Sequence, residues 1–329
     1  MQRRVGTARP PVPCTSMEQR PVGDCGLKVS RLGLGTMTWG RDTDEHESRD
    51  QLVAFREAGG TLVDTAAGYG DGAAEEVLGA LLPEFGVRDD VVICTKAGIV
   101  RRGGERVLDT SRRAMISSLD ASLARLGTDH VDLWLAHAWV DDVPLDETLS
   151  ALEWAVSTGR ARYVGVSNYL GWQSARAATL AQVRGSTPLV AHQVEYSLLA
   201  RGVETEVAGA AAAHGIGLFP WSPLGRGVLT GKYRHGTPAD SRGASPHLAG
   251  FVGEYLDERG HRIVDAVVTA ADGLGCSPAE IALAWVRDAP GVVAPVVGAR
   301  TAAQLRGTLT SDDVTLPAEI REALDEVSL

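Results

Sequence analysis

Cysteine, basic charge and long apolar runs are all scarce in this chain. Its 329 residues carry 32 Lys and Arg against 42 Asp and Glu, a formal net charge of −10. That balance argues against binding a nucleic-acid backbone, which needs a basic face. A pocket-bound anion stays open, because a few local Arg or Lys residues hold one. Four cysteines occur, Cys14, Cys25, Cys94 and Cys276, with no CxxC pair and no metal-type spacing. This argues against a disulfide scaffold and points to a reduced, cytoplasmic chain. Cys94 lies in an apolar run and reads as a buried structural thiol. No stretch is apolar for long enough to span a bilayer, so no membrane partner is expected. The eight histidines form neither HxH nor HExxH, so a metal-dependent hydrolase is disfavoured and no metal is expected. Residues 1–16 have arginines but no apolar core, and fail as a secretory signal. Their Pro, Arg and Thr content predicts a disordered extension, with Met17 a second candidate start.

What is present is one repeated theme. Apolar residues make up 44% of the chain, enough for a sizeable core. Strands are predicted at Arg31–Met37, Thr61–Thr65, Val91–Lys96, Val131–His137, Arg162–Ser167, Val190–Val194, Gly217–Trp221 and Val293–Gly298. Most are near-continuous apolar runs, as in strands buried on both faces of a parallel sheet. Helix-length segments lie between them, among them Glu47–Ala58, Ala74–Leu82, Ser111–Leu126, Leu145–Thr158, Val203–His214 and Pro278–Val286. Gly59, Gly127, Gly159 and Gly215 follow four of these helices, where a left-handed cap is wanted. Eight rounds predict an α/β fold, a closed (β/α)8 TIM barrel, as a single domain over residues 17–329. Gln19–Ser30 reads as a β-hairpin plugging the barrel floor. Tyr233–Gly260, after strand seven, is rich in Gly, Pro, Ser and charge and reads as an extended mobile loop near the active face.

Working residues of such a barrel project from the C-terminal strand ends. Here those ends carry Asp64, Lys96, His137, Ser167-Asn168, Gln193 and Trp221-Ser222, with Gly298 and Arg300 after the eighth strand. Taken singly, Lys96 reads as a snorkelling lysine, Tyr69 as a turn aromatic, His137 as a satisfied core histidine and Asp64 as a cap. Joint occurrence at successive strand ends favours a site. A buried Asp and Lys are costly apart, and neighbouring strands let them neutralise each other. Two look-alikes fail. Gly33-Leu34-Gly35 has Thr38 where a dinucleotide fingerprint needs its third glycine, and Gly227 to Gly231-Lys232 is one residue short of a phosphate loop.

Several motifs together resemble the aldo-keto reductase superfamily. They are LGLGTM at Leu32–Met37, the run from Asp64 through Tyr69 and Glu75 to Gly79, Lys96, the LAH ending at His137, GVSN at Gly165–Asn168, QVEYSLL from Gln193, WSPLGRGVLTGKY from Trp221, and VGART ending at Thr301. The resemblance implies a catalytic tetrad of Asp64, Tyr69, Lys96 and His137. Tyr69 would be the proton donor, with Lys96 lowering its pKa, Asp64 holding Lys96, and His137 orienting the carbonyl. It implies a nicotinamide cofactor. Trp221 would stack on the nicotinamide, while Ser167, Asn168, Gln193 and Asp64 fix it. Thr36 and Met37 would touch its ribose side. Ser222, Leu224 and Lys232 would lie along the pyrophosphate. Gly298, Arg300, Gln304 and Thr308 would approach the adenosine. Many relatives have Asn where Thr308 stands. A guanidinium at Arg300 suits a 2′-phosphate, so NADPH is expected. Trp39, Tyr69, His137 and Trp139 would line the pocket of a small-molecule carbonyl substrate, with the 233–260 loop as a movable wall. The expected activity is reduction of an aldehyde or ketone. The alternatives are a cofactor-bound regulatory or sensor subunit and a keto-sugar or polyketide reductase of secondary metabolism.

Overall fold

Every predicted strand forms, and the eight close on themselves. The computed structural model describes residues 17–102, 105–239, 241–245 and 249–329. The barrel strands are β1 (Gly33–Gly35), β2 (Leu62–Asp64), β3 (Val92–Ala97), β4 (Val131–Ala136), β5 (Ala161–Ser167), β6 (Leu189–Glu195), β7 (Gly217–Trp221) and β8 (Val296–Val297). Neighbours are parallel in chain order, and β8 pairs with β1 to complete the ring. Helices alternate with the strands, as parallel crossovers require. They include α1 (Glu45–Glu57), α2 (Ala73–Phe85), α3 (Arg112–Leu126), α4 (Leu145–Ser157), α5 (Gly171–Arg184) and α6 (Val207–Ala213). Then come α7 (Ala249–Gly253), α8 (Glu258–Leu274), α9 (Pro278–Arg287), α10 (Ala302–Leu309) and α11 (Ala318–Ser328). Their starts follow side-chain chemistry: Asp44, Ser111 and Ser277 each accept an N–H from the first turn.

The predicted helix over Val203–His214 is shorter than expected. A single 3-10 turn at Gly202–Glu204 precedes α6, separated from it by Glu206, whose backbone is non-helical and whose side chain accepts the Gly171 N–H at 3.0 Å. An antiparallel hairpin of Ile99–Arg102 with Glu105–Leu108 follows β3 and was not foreseen. Its arginines hide any apolar alternation. The described part of the loop after β7 contains a 3-10 turn at Arg242–Ala244, then α7. Within that loop, residues 240 and 246–248 lie outside the described residues, as does the predicted disordered extension at 1–16.

The hairpin before the barrel, Gln19–Pro21 with Lys28–Ser30, closes the floor. Val22 and Val29 are fully buried and join Leu62, Cys94, Leu133, Leu135, Ala191 and Phe219 in the interior cluster. Gly23 has φ +54, and a Cβ there would meet the Gly215 carbonyl oxygen at 2.1 Å. Side chains of a strand alternate faces with period two. The positions two beyond those interior residues are therefore Asp64, Lys96, His137, Gln193 and Trp221, all at the opposite, C-terminal end. An apolar floor and a polar mouth follow from one alternation.

His192 lies one residue out of that phase. It is fully buried, its ring 6.5 Å from that of Tyr169, and neither ring nitrogen has a well-formed hydrogen bond. Burial pushes its pKa down to about 4, against a weaker upward pull from the Tyr169 backbone. A depressed histidine stabilises the fold above its unfolded pKa near 6.5, and that contribution is lost as pH falls towards the folded value. Stability should therefore drop by about 3 kcal/mol from this group alone between neutral pH and pH about 4. Urea titrations of His192→Leu should lose that part of the acid slope. An unchanged slope would refute the assignment.

Candidate active site

Lys96 is the hub of the polar mouth. It has no exposed surface, and its Nζ donates to Asp64 Oδ1 at 2.7 Å, to the Thr65 carbonyl at 2.8 Å and to Tyr69 Oη at 3.2 Å. Asp64 is likewise buried, and its Oδ2 accepts from Gln193 Nε2 at 2.7 Å. Burial, the largest single influence, acts to lower the Lys96 pKa, but Asp64, Tyr69 and Cys94 together outweigh it and the net direction is up. The ammonium therefore stays charged.

Tyr69 reaches this point through an unusual turn. Gly70, Asp71 and Gly72 all take positive φ, at 58°, 58° and 102°. Three left-handed residues in succession suit glycine on two sides of one tolerated Asp. Glu75 anchors the helix that follows. It is fully buried, accepting from Thr95 Oγ1 at 2.5 Å and from Arg125 at 2.6 and 2.8 Å. Burial raises the Tyr69 pKa, and the downward pull of Lys96 does not overcome it. The expected lowering is thus reversed, because desolvation of a phenolate outweighs one nearby cation that is already shared with Asp64.

His137 follows β4, its N–H bonded to Ala97 O at 2.8 Å. Its ring stands edge-on to that of Tyr69 at 6.0 Å, and its buried Nδ1 has no partner among the described residues. Burial, then Lys96 and Arg106, hold its pKa well below the usual value, so the ring is neutral.

Residues from β5 and β7 meet on one side. Asn168, at φ +59, donates to the His137 carbonyl at 3.0 Å and to Ser167 Oγ at 3.1 Å, and accepts from Trp221 Nε1 at 2.9 Å. Ser167 is fully buried and Trp221 half-buried. Ser222 has φ +51; Leu224 precedes the turn Gly225–Thr230, and Lys232 is exposed beyond it. Thr36 is buried, its N–H and hydroxyl both donating to Asp64 O, and Met37 is half-buried beside it. Gly298 is exposed past β8. Arg300 N–H donates to Gln304 Oε1 at 3.1 Å, and the Thr308 hydroxyl donates to Leu305 O at 2.7 Å.

Trp39 requires a correction. It has no exposed surface and its indole N–H donates to Gln51 on α1 at 3.0 Å, so it packs in the core and does not line a pocket. A turn, with Trp39 N–H on Thr36 O at 2.9 Å, folds it back beneath α1. Trp139 is half-buried, its indole N–H donating to Asp141 Oδ1 at 2.7 Å. Sequence reading missed the clamp at Arg226. That residue pairs with Glu195 at 2.9 Å and Glu254 at 2.6 Å, and its guanidinium lies 3.6 Å over the Phe251 ring. The described part of the loop after β7 is fastened by it. The only signal was an Arg between two glycines.

An ammonium wedged between a carboxylate and a phenol, beside a neutral imidazole at a parallel barrel's C-terminal mouth, is a set of coupled groups able to hold and pass a proton. The chain belongs to the aldo/keto reductase family, whose sequence model matches residues 31–329. It is 34% identical over 317 residues to the probable voltage-gated potassium channel subunit beta of Oryza sativa subsp. japonica, covering 94% of this chain and 95% of that protein. It is 34% identical over 299 residues to the L-glyceraldehyde 3-phosphate reductase of Escherichia coli (strain K12), covering 88% and 86%. It is 35% identical over 321 residues to the uncharacterized oxidoreductase YrpG of Bacillus subtilis (strain 168), covering 94% and 96%. The chain is an NAD(P)H-dependent oxidoreductase of this family. Among the described residues no helix is long and apolar enough to cross a membrane.

Proposed function

We propose that this enzyme reduces an aldehyde or ketone to the alcohol with NADPH, and that Tyr69 gives up the proton. The observation carrying this reading is the Lys96 ammonium, 2.7 Å from Asp64 and 3.2 Å from the Tyr69 hydroxyl. The raised Tyr69 pKa keeps the proton on the phenol through the neutral range, which reduction requires. As the oxygen of Tyr69 gains charge, the ammonium beside it stabilises that charge. The neutral His137 ring holds the carbonyl oxygen within reach of the phenol.

The donor set fits a nicotinamide. Asn168 Oδ1 has a second lone pair beyond the Trp221 bond, Gln193 keeps its amide oxygen, and Ser167 offers a hydroxyl. Together these match a carboxamide, with the Trp221 ring as its stacking face. When bound, NADPH supplies the hydride that reduces the carbonyl carbon. Ser222, Leu224 and Lys232 would hold the pyrophosphate side, Thr36 and Met37 the nicotinamide ribose, and Gly298, Arg300, Gln304 and Thr308 the adenosine.

The assay is nicotinamide oxidation with a panel of simple aldehydes and ketones, where turnover is expected. Cofactor binding without turnover on any carbonyl would favour a regulatory or sensor subunit; the rice relative is named as a probable potassium channel subunit. NADH is a second reading with one observation behind it. Glu47 Oε2 accepts the Ala302 N–H at 2.6 Å, putting a carboxylate at the start of α10 beside Arg300. A carboxylate there suits a ribose hydroxyl better than a phosphate. Arg300→Ala should raise KM for NADPH about 10- to 100-fold and leave NADH nearly untouched. Equal losses for both cofactors would remove the 2′-phosphate role and leave NADH in its place.

A further inference from the structure

The mouth of the barrel continues into an aromatic wall. Trp139, two residues past His137, has its ring 5.2 Å from that of Tyr169 and 5.4 Å from that of Trp172, both edge-on. The Asp141 carboxylate fixes its indole N–H. The wall thus spans the loops after β4 and β5 and the first turn of α5, and Asn168 ties the two loops together through the His137 carbonyl. Its outer end is bare. Trp172 is 50% exposed and Leu170 is 52% exposed, two of the six large apolar side chains exposed among the described residues. They stand two residues apart at the start of α5, and Trp172 connects through Trp139 towards His137, whereas scattered apolar side chains need no explanation. Asp141 and Asp142 flank Trp139, Arg176 lies one helical turn beyond Trp172 on α5, and Arg106 acts on His137 from the hairpin after β3.

We propose that this wall is a substrate subsite for the aromatic arm of a carbonyl compound, and that Trp172 sets the preference for it. The proposal rests on the carbonyl-reduction reading. The arm covers the exposed faces of Trp172 and Leu170, while the carbonyl end reaches Tyr69 and His137. Trp172 is a specificity residue, remote from the reacting atoms, so its effect falls on KM more than on kcat.

The test compares naphthaldehyde, propanal and glyceraldehyde 3-phosphate. For the unaltered enzyme, kcat/KM should be highest for naphthaldehyde. Trp172→Ala should lower the naphthaldehyde-to-propanal ratio of kcat/KM by about tenfold, through KM. Trp172→Phe should restore most of it, which a folding defect would not allow. A ratio unchanged by Trp172→Ala overturns the proposal, as does a preference for the phosphorylated aldehyde. Loss of a dimer in Trp172→Ala by light scattering, with the ratio constant, overturns it too by giving the patch to a second copy of the chain. No turnover with any of the three removes the carbonyl reading itself, and this subsite with it.

Discussion

Tyr69→Phe is expected to lower kcat for carbonyl reduction by about a hundredfold to ten-thousandfold, the range of a lost general acid. The substitution removes one oxygen and keeps the ring. The edge-on contact with His137 at 6.0 Å and the Lys96 ammonium 4.8 Å from the ring centre both survive. Lys96 keeps Asp64 and the Thr65 carbonyl as partners. Fold and NADPH affinity should therefore hold, so that the loss lies in kcat. His137 cannot stand in as donor, because burial and the neighbouring ammonium keep its ring neutral. Stopped-flow single turnovers with NADPH and a reactive aldehyde read the chemical step directly. Near-normal turnover would transfer the proton to another group.

Lys96→Met should cost both stability and activity, and the two losses can be separated. Removing the ammonium leaves Asp64, 2% exposed, with Gln193 and the Cys94 thiol as its remaining side-chain partners. Stranding one half of a buried ion pair costs about 3–5 kcal/mol. The double variant Asp64→Asn with Lys96→Met removes the stranded charge and should recover most of that stability without recovering turnover. A double-mutant cycle on urea midpoints measures the coupling. If the single variant is as stable as the parent, the pair is not the buried one described. If the double variant regains turnover, the ammonium has no part in the reaction.

How much of the site was legible in sequence follows from periodicity. Asp64, Lys96 and His137 stand at the ends of short apolar runs, so their strand and their end of the barrel could be read directly. Gln193 was found by the same rule, but not its bond to Asp64, which joins residues 129 apart in the chain. Trp39 was misread because a tryptophan beside a turn looks the same whether the turn leads outward or back beneath a helix. Trp172 and the Arg226 clamp carry no period. Each is meaningful only through neighbours that other loops deliver.

Local chemistry in the sequence was sufficient for the architecture. Apolar runs of strand length, glycine caps and eight repeats leave a closed parallel barrel as the way to bury them, and period-two alternation then sends the polar residues to one mouth. Tertiary structure alone decided the state of the groups gathered there. Whether Tyr69 binds its proton more or less tightly depends on depth below the surface and on which carboxylate already shares the Lys96 charge. Both are distances through space, and a linear order of residues does not contain them.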